Sequence, residues 1–381
     1  MAANVAGRGS AWAVVALACG AAVAGAGEPP YQAIAERLVG PDQGVYLRAE
    51  DGTVLAAVAE ARPVHPASVS KIPTTLALLE QLGPGHRFVT RLEARGRIAG
   101  GTLEGPLVLA PGGDPTLVAE HAVAMAARLR ERGIRRVTGG LHVAGRLFFD
   151  WRLDPTGASF RRALAGPVPT SVVRRAATLA PSAGPGVAVT GTSAASTGDV
   201  AAVVEHRSAT LLEIVKALNS YSNNVFHPLA DAVGGVGAVE SLARSVVPPA
   251  WAGEIRLDNG AGAGATNRLS PRATVAIVDA LAGALAARGL DLPDVLPVSG
   301  HDVGTLQVRL DEPPVRGAVV AKTGTYGSLG ACALAGVVRT TRWGRVTFAI
   351  LNRDVPVPEA RRRQDDLLRA IVADAGAVPF P

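Results

Sequence analysis

The lysines constrain this chain more tightly than any other residue type. Of its 38 basic residues only three are lysine: Lys71, Lys216 and Lys322. Arginine serves wherever a positive charge suffices, but a guanidinium keeps its proton in proteins and fails where an amine must give one up. A chain that has nearly abandoned lysine therefore marks where a deprotonatable amine or a compact point charge is required. Two of the three stand in short motifs, Ser68-Val69-Ser70-Lys71 and Lys322-Thr323-Gly324-Thr325. The pattern places the first at a helix start and the second on a strand, so the fold has to carry both elements. For Lys216 a solvated helix side chain is the simpler reading.

The chain's 381 residues, 48% hydrophobic and 18% charged, describe an ordinary globular protein, read as one large domain plus a smaller one. The net charge of +6 is spread over scattered arginines, with no basic stripe interleaved with aromatics, so a nucleic-acid partner is not expected. At the amino end Arg8 precedes an apolar run from Ala11 to Ala24, and small residues lead into Gly27-Glu28-Pro29-Pro30. This is the pattern of a secretory signal peptide, assigned to residues 1–26. Cys19 offers a second reading, an N-terminal lipid anchor. Removing the signal leaves Cys332 as the one cysteine, without a disulfide partner, in an apolar stretch that suits a buried thiol. No later stretch reaches the length of a membrane span, so the mature protein is expected to be exported.

Residues 44–59 read as two strands joined at Asp51-Gly52, a hairpin signal. A helix is predicted from Ser68 to Gly83, where Gly83-Pro84-Gly85 stops it. Residues 87–205 read as an inserted mixed subdomain. It has strands at 87–94 and 105–110, a helix at 118–132, a strand at 137–145 and a loose region at 181–199. Helices follow at 208–233 and 271–289, strands at 316–323, 329–339 and 345–352, and an amphipathic helix at 358–375 carrying Leu367, Leu368, Ile371 and Val372. The fold class is therefore α+β: an antiparallel sheet flanked by helices, formed by residues 27–86 and 206–381 and interrupted by the insert.

Ser68-x-x-Lys71 puts a hydroxyl and an amine on one face of a helix start, where backbone N–H groups favour developing negative charge. Alone the pattern is weak. Its weight comes from the ordered set Ser68-x-x-Lys71, Ser222-Asn223-Asn224 and Lys322-Thr323-Gly324, the three elements of penicillin-recognising serine enzymes. With Leu109-Ala-Pro-Gly-Gly-Asp114-Pro-Thr-Leu117, Asp258-Asn-Gly260, Asn267-Arg-Leu-Ser-Pro271, Gly304-Thr-Leu306 and Asn352, the chain resembles the D-Ala-D-Ala carboxypeptidase/endopeptidases, the class C low-molecular-mass penicillin-binding proteins. The resemblance spans about residues 30 to 375.

The resemblance implies a penicillin-binding, β-lactamase-like transpeptidase fold and a serine DD-peptidase that cuts peptidoglycan stem peptides. β-Lactam antibiotics would be its covalent inhibitors, and no cofactor or metal is called for. Ser68 would be the nucleophile, Lys71 its base and Ser222 a proton relay to the leaving amine. Asn224 would hold Lys71 and a substrate amide, and Lys322 and Thr323 the terminal carboxylate. Backbone N–H groups of Ser68 and Thr325 would form the oxyanion hole, beside Gly324. A base of this kind needs its pKa lowered, which a second cation, Lys322, would do.

Three departures stand out. The family's Asp-Gly-Ser-Gly-Leu-Ser turn reads Asp258-Asn-Gly-Ala-Gly-Ala-Gly-Ala-Thr266 here, without its serine hydroxyls. The insert between Lys71 and Ser222 is shorter than in the fullest members. Pro228 follows Ser-Asn-Asn closely enough to kink its helix. Gly260 to Ala265 formally matches the dinucleotide fingerprint G-x-G-x-x-A, but no helix opens at once behind it. None of the histidines forms a tight metal pattern, and His65, near Ser68, reads as a loop residue. A G-x-S-x-G elbow is absent. Two alternatives stay open: a β-lactamase-like or esterase hydrolase on the same fold, and a non-catalytic cell-wall-binding protein.

Overall fold

The computed structural model describes residues 28–191, 198–221 and 223–381. The signal-peptide and Cys19 readings, part of the 181–199 region and Ser222 lie outside the described residues.

The hairpin forms at Asp51-Gly52. Strands Gly44–Arg48 and Val54–Val58 run antiparallel, Gly52 takes the φ of +91° that favours glycine, and the Asp51 carboxylate accepts the Thr53 N–H at 2.9 Å. Three strands from the far end of the chain complete an antiparallel sheet. Its order is Val319–Tyr326, Ala331–Thr340, Gly344–Asn352, Gly44–Arg48, Val54–Val58. Gly44 lies opposite Leu351, so the two ends of the chain meet inside the sheet. The Lys322 strand is left at one edge.

Strand periodicity sorts side chains between two cores. Ala333, Ala335 and Val337 point into one, Leu334 and Val338 into the other. The first core is covered by helices Lys71–Leu82 and Pro271–Ala286, through Ile72, Leu76, Val275 and Leu281. Gln32–Leu38 and Val357–Ala375 cover the second, the latter through the four apolar residues expected to face inward. Each such buried side chain contributes about 1.5–3 kcal/mol. No helix among the described residues is long and apolar enough to cross a membrane.

The segment between these halves has sheets and a core of its own. Strand Val89–Arg95 pairs antiparallel with Val200–Arg207, Val89 opposite Arg207, so the chain leaves and returns at adjacent points. Leu107–Ala110 and Leu141–Val143 complete the sheet, and Leu92, Leu107 and Leu109 cluster with Ala122, Met125 and Leu129 of helix Ala119–Glu131. Two expectations are corrected. The strand over 137–145 is split into Arg136–Val137 and Leu141–Val143, because the chain at Gly139 passes so close to Gly105 that a Cβ would lie 2.6 Å from its backbone. The helix over 208–233 is two helices, Leu211–Ser220 and Phe226–Asp231. Pro228 falls in the first turn of the second, where its missing N–H costs nothing. Between them the Asn223 side chain donates to the Leu218 carbonyl at 2.7 Å, closing off the first helix.

Candidate active site

The nucleophile candidate sits on a turn held from several sides. Ala67–Ser70 is a 3₁₀ turn leading into helix Lys71–Leu82. Side chains three apart eclipse in that geometry, which aligns Ser68 with Lys71. The Lys71 Nζ lies 2.8 Å from Ser68 Oγ and donates to the Ala261 carbonyl at 3.0 Å. Ala67 takes a φ of +46°, unusual for a residue with a Cβ. Glycines press on this turn from both sides. A Cβ on Gly262 would lie 1.9 Å from the Ala67 oxygen, and one on Gly324 would lie 2.6 Å from the Pro66 oxygen and 3.1 Å from the Ser68 nitrogen. The alternating glycines of the 260–265 stretch thus have a steric reason that owes nothing to a dinucleotide.

Lys71 and Lys322 are both buried, at 0% and 1% exposure, and neither has an ion-pair partner among the described residues. Lysine is almost never buried unpaired unless it sheds its charge. Burial, then the nearby Lys322 cation, push the Lys71 amine down to about 6. Burial pushes Lys322 down to about 7. The Lys322 charge thus adds to burial in favouring the neutral Lys71 amine. The Lys322 Nζ donates to the Thr323 carbonyl at 3.0 Å, and Thr323 Oγ1 donates to Thr305 Oγ1 at 2.8 Å. The loop carrying Thr305 is tied to the first of the two helices: the Thr305 N–H donates to the Ser220 carbonyl at 2.9 Å, and a Cβ on Gly304 would lie 2.1 Å from that oxygen.

Ser68, Lys71, Lys322, Thr323 and Gly324 are therefore brought together. Thr325 is exposed at the strand's end, where its Oγ1 accepts from Arg361 at 3.1 Å. Asn224 is exposed too. It lines a groove of about 500 Å³ with Asn259, Ala263, Trp151 and Arg152, while the Lys71 hydrogen bonds go to Ser68 and Ala261. Ser222, between Tyr221 and Asn223, lies outside the described residues.

Where serines were expected in the 258–266 turn, asparagines do the holding. Asn259 Oδ1 accepts the Ala261 and Ala263 N–H groups at 2.9 and 3.2 Å, and the buried Asn267 accepts from Asp258 at 2.9 Å while donating to the Gly264 carbonyl at 3.0 Å. Lys216 is a clamp and not a solvated side chain. Its three protons go to Asp302 at 2.7 Å and to the Pro293 and Leu296 carbonyls at 2.7 and 2.8 Å, pinning its helix to the loop before Thr305. Sequence reasoning quoted Gly304-Thr-Leu306 only as a landmark and missed Thr305, although a threonine after a glycine was a visible cue. It also read His65 as a plain loop residue, yet His65 is buried at 7% exposure with both ring nitrogens engaged.

A serine paired with a buried amine beside a second lysine, on a sheet-and-helix fold, defines an acyl-transferring serine peptidase of the penicillin-binding class. The sequence model of the D-Ala-D-Ala carboxypeptidase 3 (S13) family matches residues 32–158 and 183–372, and the chain belongs to that family. It is, by that membership, a serine-type D-Ala-D-Ala carboxypeptidase. It is 29% identical to carboxypeptidase DacB of Mycolicibacterium smegmatis, over 90% of this chain and 84% of that protein. Among solved structures it resembles the Bd0816 predatory endopeptidase of Bdellovibrio bacteriovorus, with a TM-score of 0.73 and 22% identity over 89% of this chain and 94% of that one. Penicillin binding protein 4 of Haemophilus influenzae gives a TM-score of 0.67 and 18% identity, over 89% and 98%. These two likenesses speak for the fold.

Proposed function

We propose that this is an exported DD-peptidase that hydrolyses the terminal D-Ala-D-Ala bond of peptidoglycan stem peptides, or the equivalent bond of cross-links, through an acyl-Ser68 intermediate. The observation that carries it is the buried Lys71 amine 2.8 Å from Ser68 Oγ, with its pKa near 6. At neutral pH that amine has a lone pair and takes the Ser68 proton as Oγ attacks the carbonyl carbon. The developing oxyanion is received by the Ser68 and Thr325 N–H groups, a contribution worth on the order of 100- to 1,000-fold per donor. Lys322 and the Thr323 hydroxyl hold the substrate's terminal carboxylate, which restores the charge that burial disfavours on Lys322. Asn224 meets the peptide from the groove wall. The proton passes through Ser222 to the departing D-alanine amine, and water then releases the acyl group. The insert over 87–205 supplies the other wall of the groove through Trp151 and Arg152.

A solved structure of the related Bd3459 endopeptidase is acylated by penicillin G, which supports β-lactams as covalent inhibitors here. Efficient β-lactamase action needs a deacylating base, and no carboxylate is hydrogen-bonded to Lys71 among the described residues. The test is intact-protein mass spectrometry of the mature chain with benzylpenicillin. One stable adduct, lost in Ser68→Ala, is expected. An unmodified protein with the drug intact would refute the reading, and drug consumption without adduct would favour a β-lactamase.

A further inference from the structure

One buried titratable side chain that the reaction does not use touches both turns holding the Ser68–Lys71 pair. His65 Nδ1 accepts the Ala67 N–H at 3.1 Å, and His65 Nε2 lies 2.8 Å from the Gly264 carbonyl oxygen. A backbone N–H only donates and a carbonyl only accepts, so the two partners fix the ring as the neutral Nε2–H tautomer. The first partner belongs to Ala67, the residue at φ +46° that aims Ser68. The second belongs to the turn whose Ala261 carbonyl takes the Lys71 amine. The imidazole is thus the hydrogen-bonded strut between the nucleophile's turn and the base's turn.

We propose that His65 is a positioning residue for acylation, holding Ser68 and Lys71 in register through these two hydrogen bonds. The proposal rests on the acyl-serine reading above. Its consequence is acid sensitivity. A proton on Nδ1 removes the acceptor for Ala67 and releases the turn. The charged groups facing the ring are Asp258, which favours protonation, and Arg268, which opposes it; the Tyr326 ring, at the end of the Lys322 strand, packs with its centroid 4.7 Å from that of the imidazole. Burial outweighs both charges and holds the imidazole below its usual pKa, so the strut stays intact at neutral pH.

The test compares His65→Phe and His65→Asn in the mature chain, with Ser68→Ala as control, by the second-order rate of benzylpenicillin acylation across pH and by thermal melting. Asparagine keeps an acceptor for the N–H two residues on, as in an Asx turn, but does not titrate. H65F should acylate about 10- to 100-fold more slowly than the parent, in keeping with a misplaced reacting group. H65N should fall between the two, about three- to ten-fold below the parent, because it keeps the acceptor for Ala67 but gives up the Gly264 bond. The parent's acid limb should steepen to a two-proton slope where H65N keeps a one-proton slope. An H65F rate within three-fold of the parent, or H65N no faster than H65F, would overturn the proposal. If H65F does not fold, the slope in H65N decides alone, and an unchanged slope counts against it. Failure of the parent itself to acylate would instead refute the acyl-serine reading.

Discussion

The five-stranded sheet separates two buried cation sites built on opposite rules. On one side Lys71 and Lys322 are enclosed without a carboxylate partner among the described residues, and both are pushed towards the neutral form. On the other side Arg309 is enclosed beneath helix Val357–Ala375. It meets Asp365 at 2.6 Å and Gln364 at 3.0 Å, and Gln364 in turn donates to Asn352 at 2.9 Å. The arginine keeps its charge and is matched by acceptors, so it acts as structure. The lysines are left unmatched, and the instability this stores is what makes one of them a base. At these two sites residue type follows function: an arginine where a matched charge is structural, and at Lys71 a lysine whose charge must leave.

The largest effect should come from replacing the lysine. Lys71→Met is expected to lower the acylation rate by about 100- to 10,000-fold, as for loss of a general base, without lowering the melting temperature at pH 7. The sign follows from linkage. The folded pKa of about 6 lies below the unfolded value of 10.5, so between them the unfolded chain binds more protons and stability rises with pH. Any advantage of the variant is therefore greatest at low pH and vanishes by about pH 10.5, which melting curves across pH would show.

The arginine site should answer the other way. Arg309→Met leaves Asp365 buried and uncompensated and should destabilise by about 3–5 kcal/mol in denaturant titrations. Combining it with Asp365→Leu should recover most of that loss. An Arg309→Met protein as stable as the parent would break the comparison.

A third prediction concerns pH and the pair itself. Acylation needs Lys71 neutral, while carboxylate binding favours Lys322 charged. The second-order rate constant for a carboxylate-bearing substrate should therefore rise through about pH 6 and fall beyond about pH 7, a narrow bell. A plateau extending to pH 9 would show that Lys322 keeps its proton. The smallest effect belongs to Lys216→Met. Its pair with Asp302 is part exposed, so the expected loss is about 1 kcal/mol, read from melting, with acylation changed only a few-fold.

The site was legible because its residues announce themselves. A rare lysine inside Ser-x-x-Lys, and another before Thr-Gly, survive as sequence signals whatever surrounds them. The sheet was legible through Asp51-Gly52 and through long apolar strands such as Ala331–Thr340. Strand Val200–Arg207 was hidden for the opposite reason. Its inward set is Ala202, Val204 and His206, too small and polar to stand out beside a glycine-rich stretch. The split of 208–233 turned on whether Pro228 kinks a helix or sits in the first turn of a new one, which only the register of Asn223 decides. His65 was misread because its partners are a backbone N–H two residues on and a carbonyl at position 264, and backbone partners leave no mark in side-chain patterns.

With only three lysines in the chain, the central claim has a direct measurement: NMR of protein carrying ¹³C at the lysine ε position, followed through pH, with signals assigned by Lys71→Met and Lys216→Met. The account predicts that the Lys71 signal titrates near 6 and the Lys322 signal near 7. A Lys71 signal that stays in its protonated position up to pH 9 would contradict a neutral lysine base, and with it the mechanism.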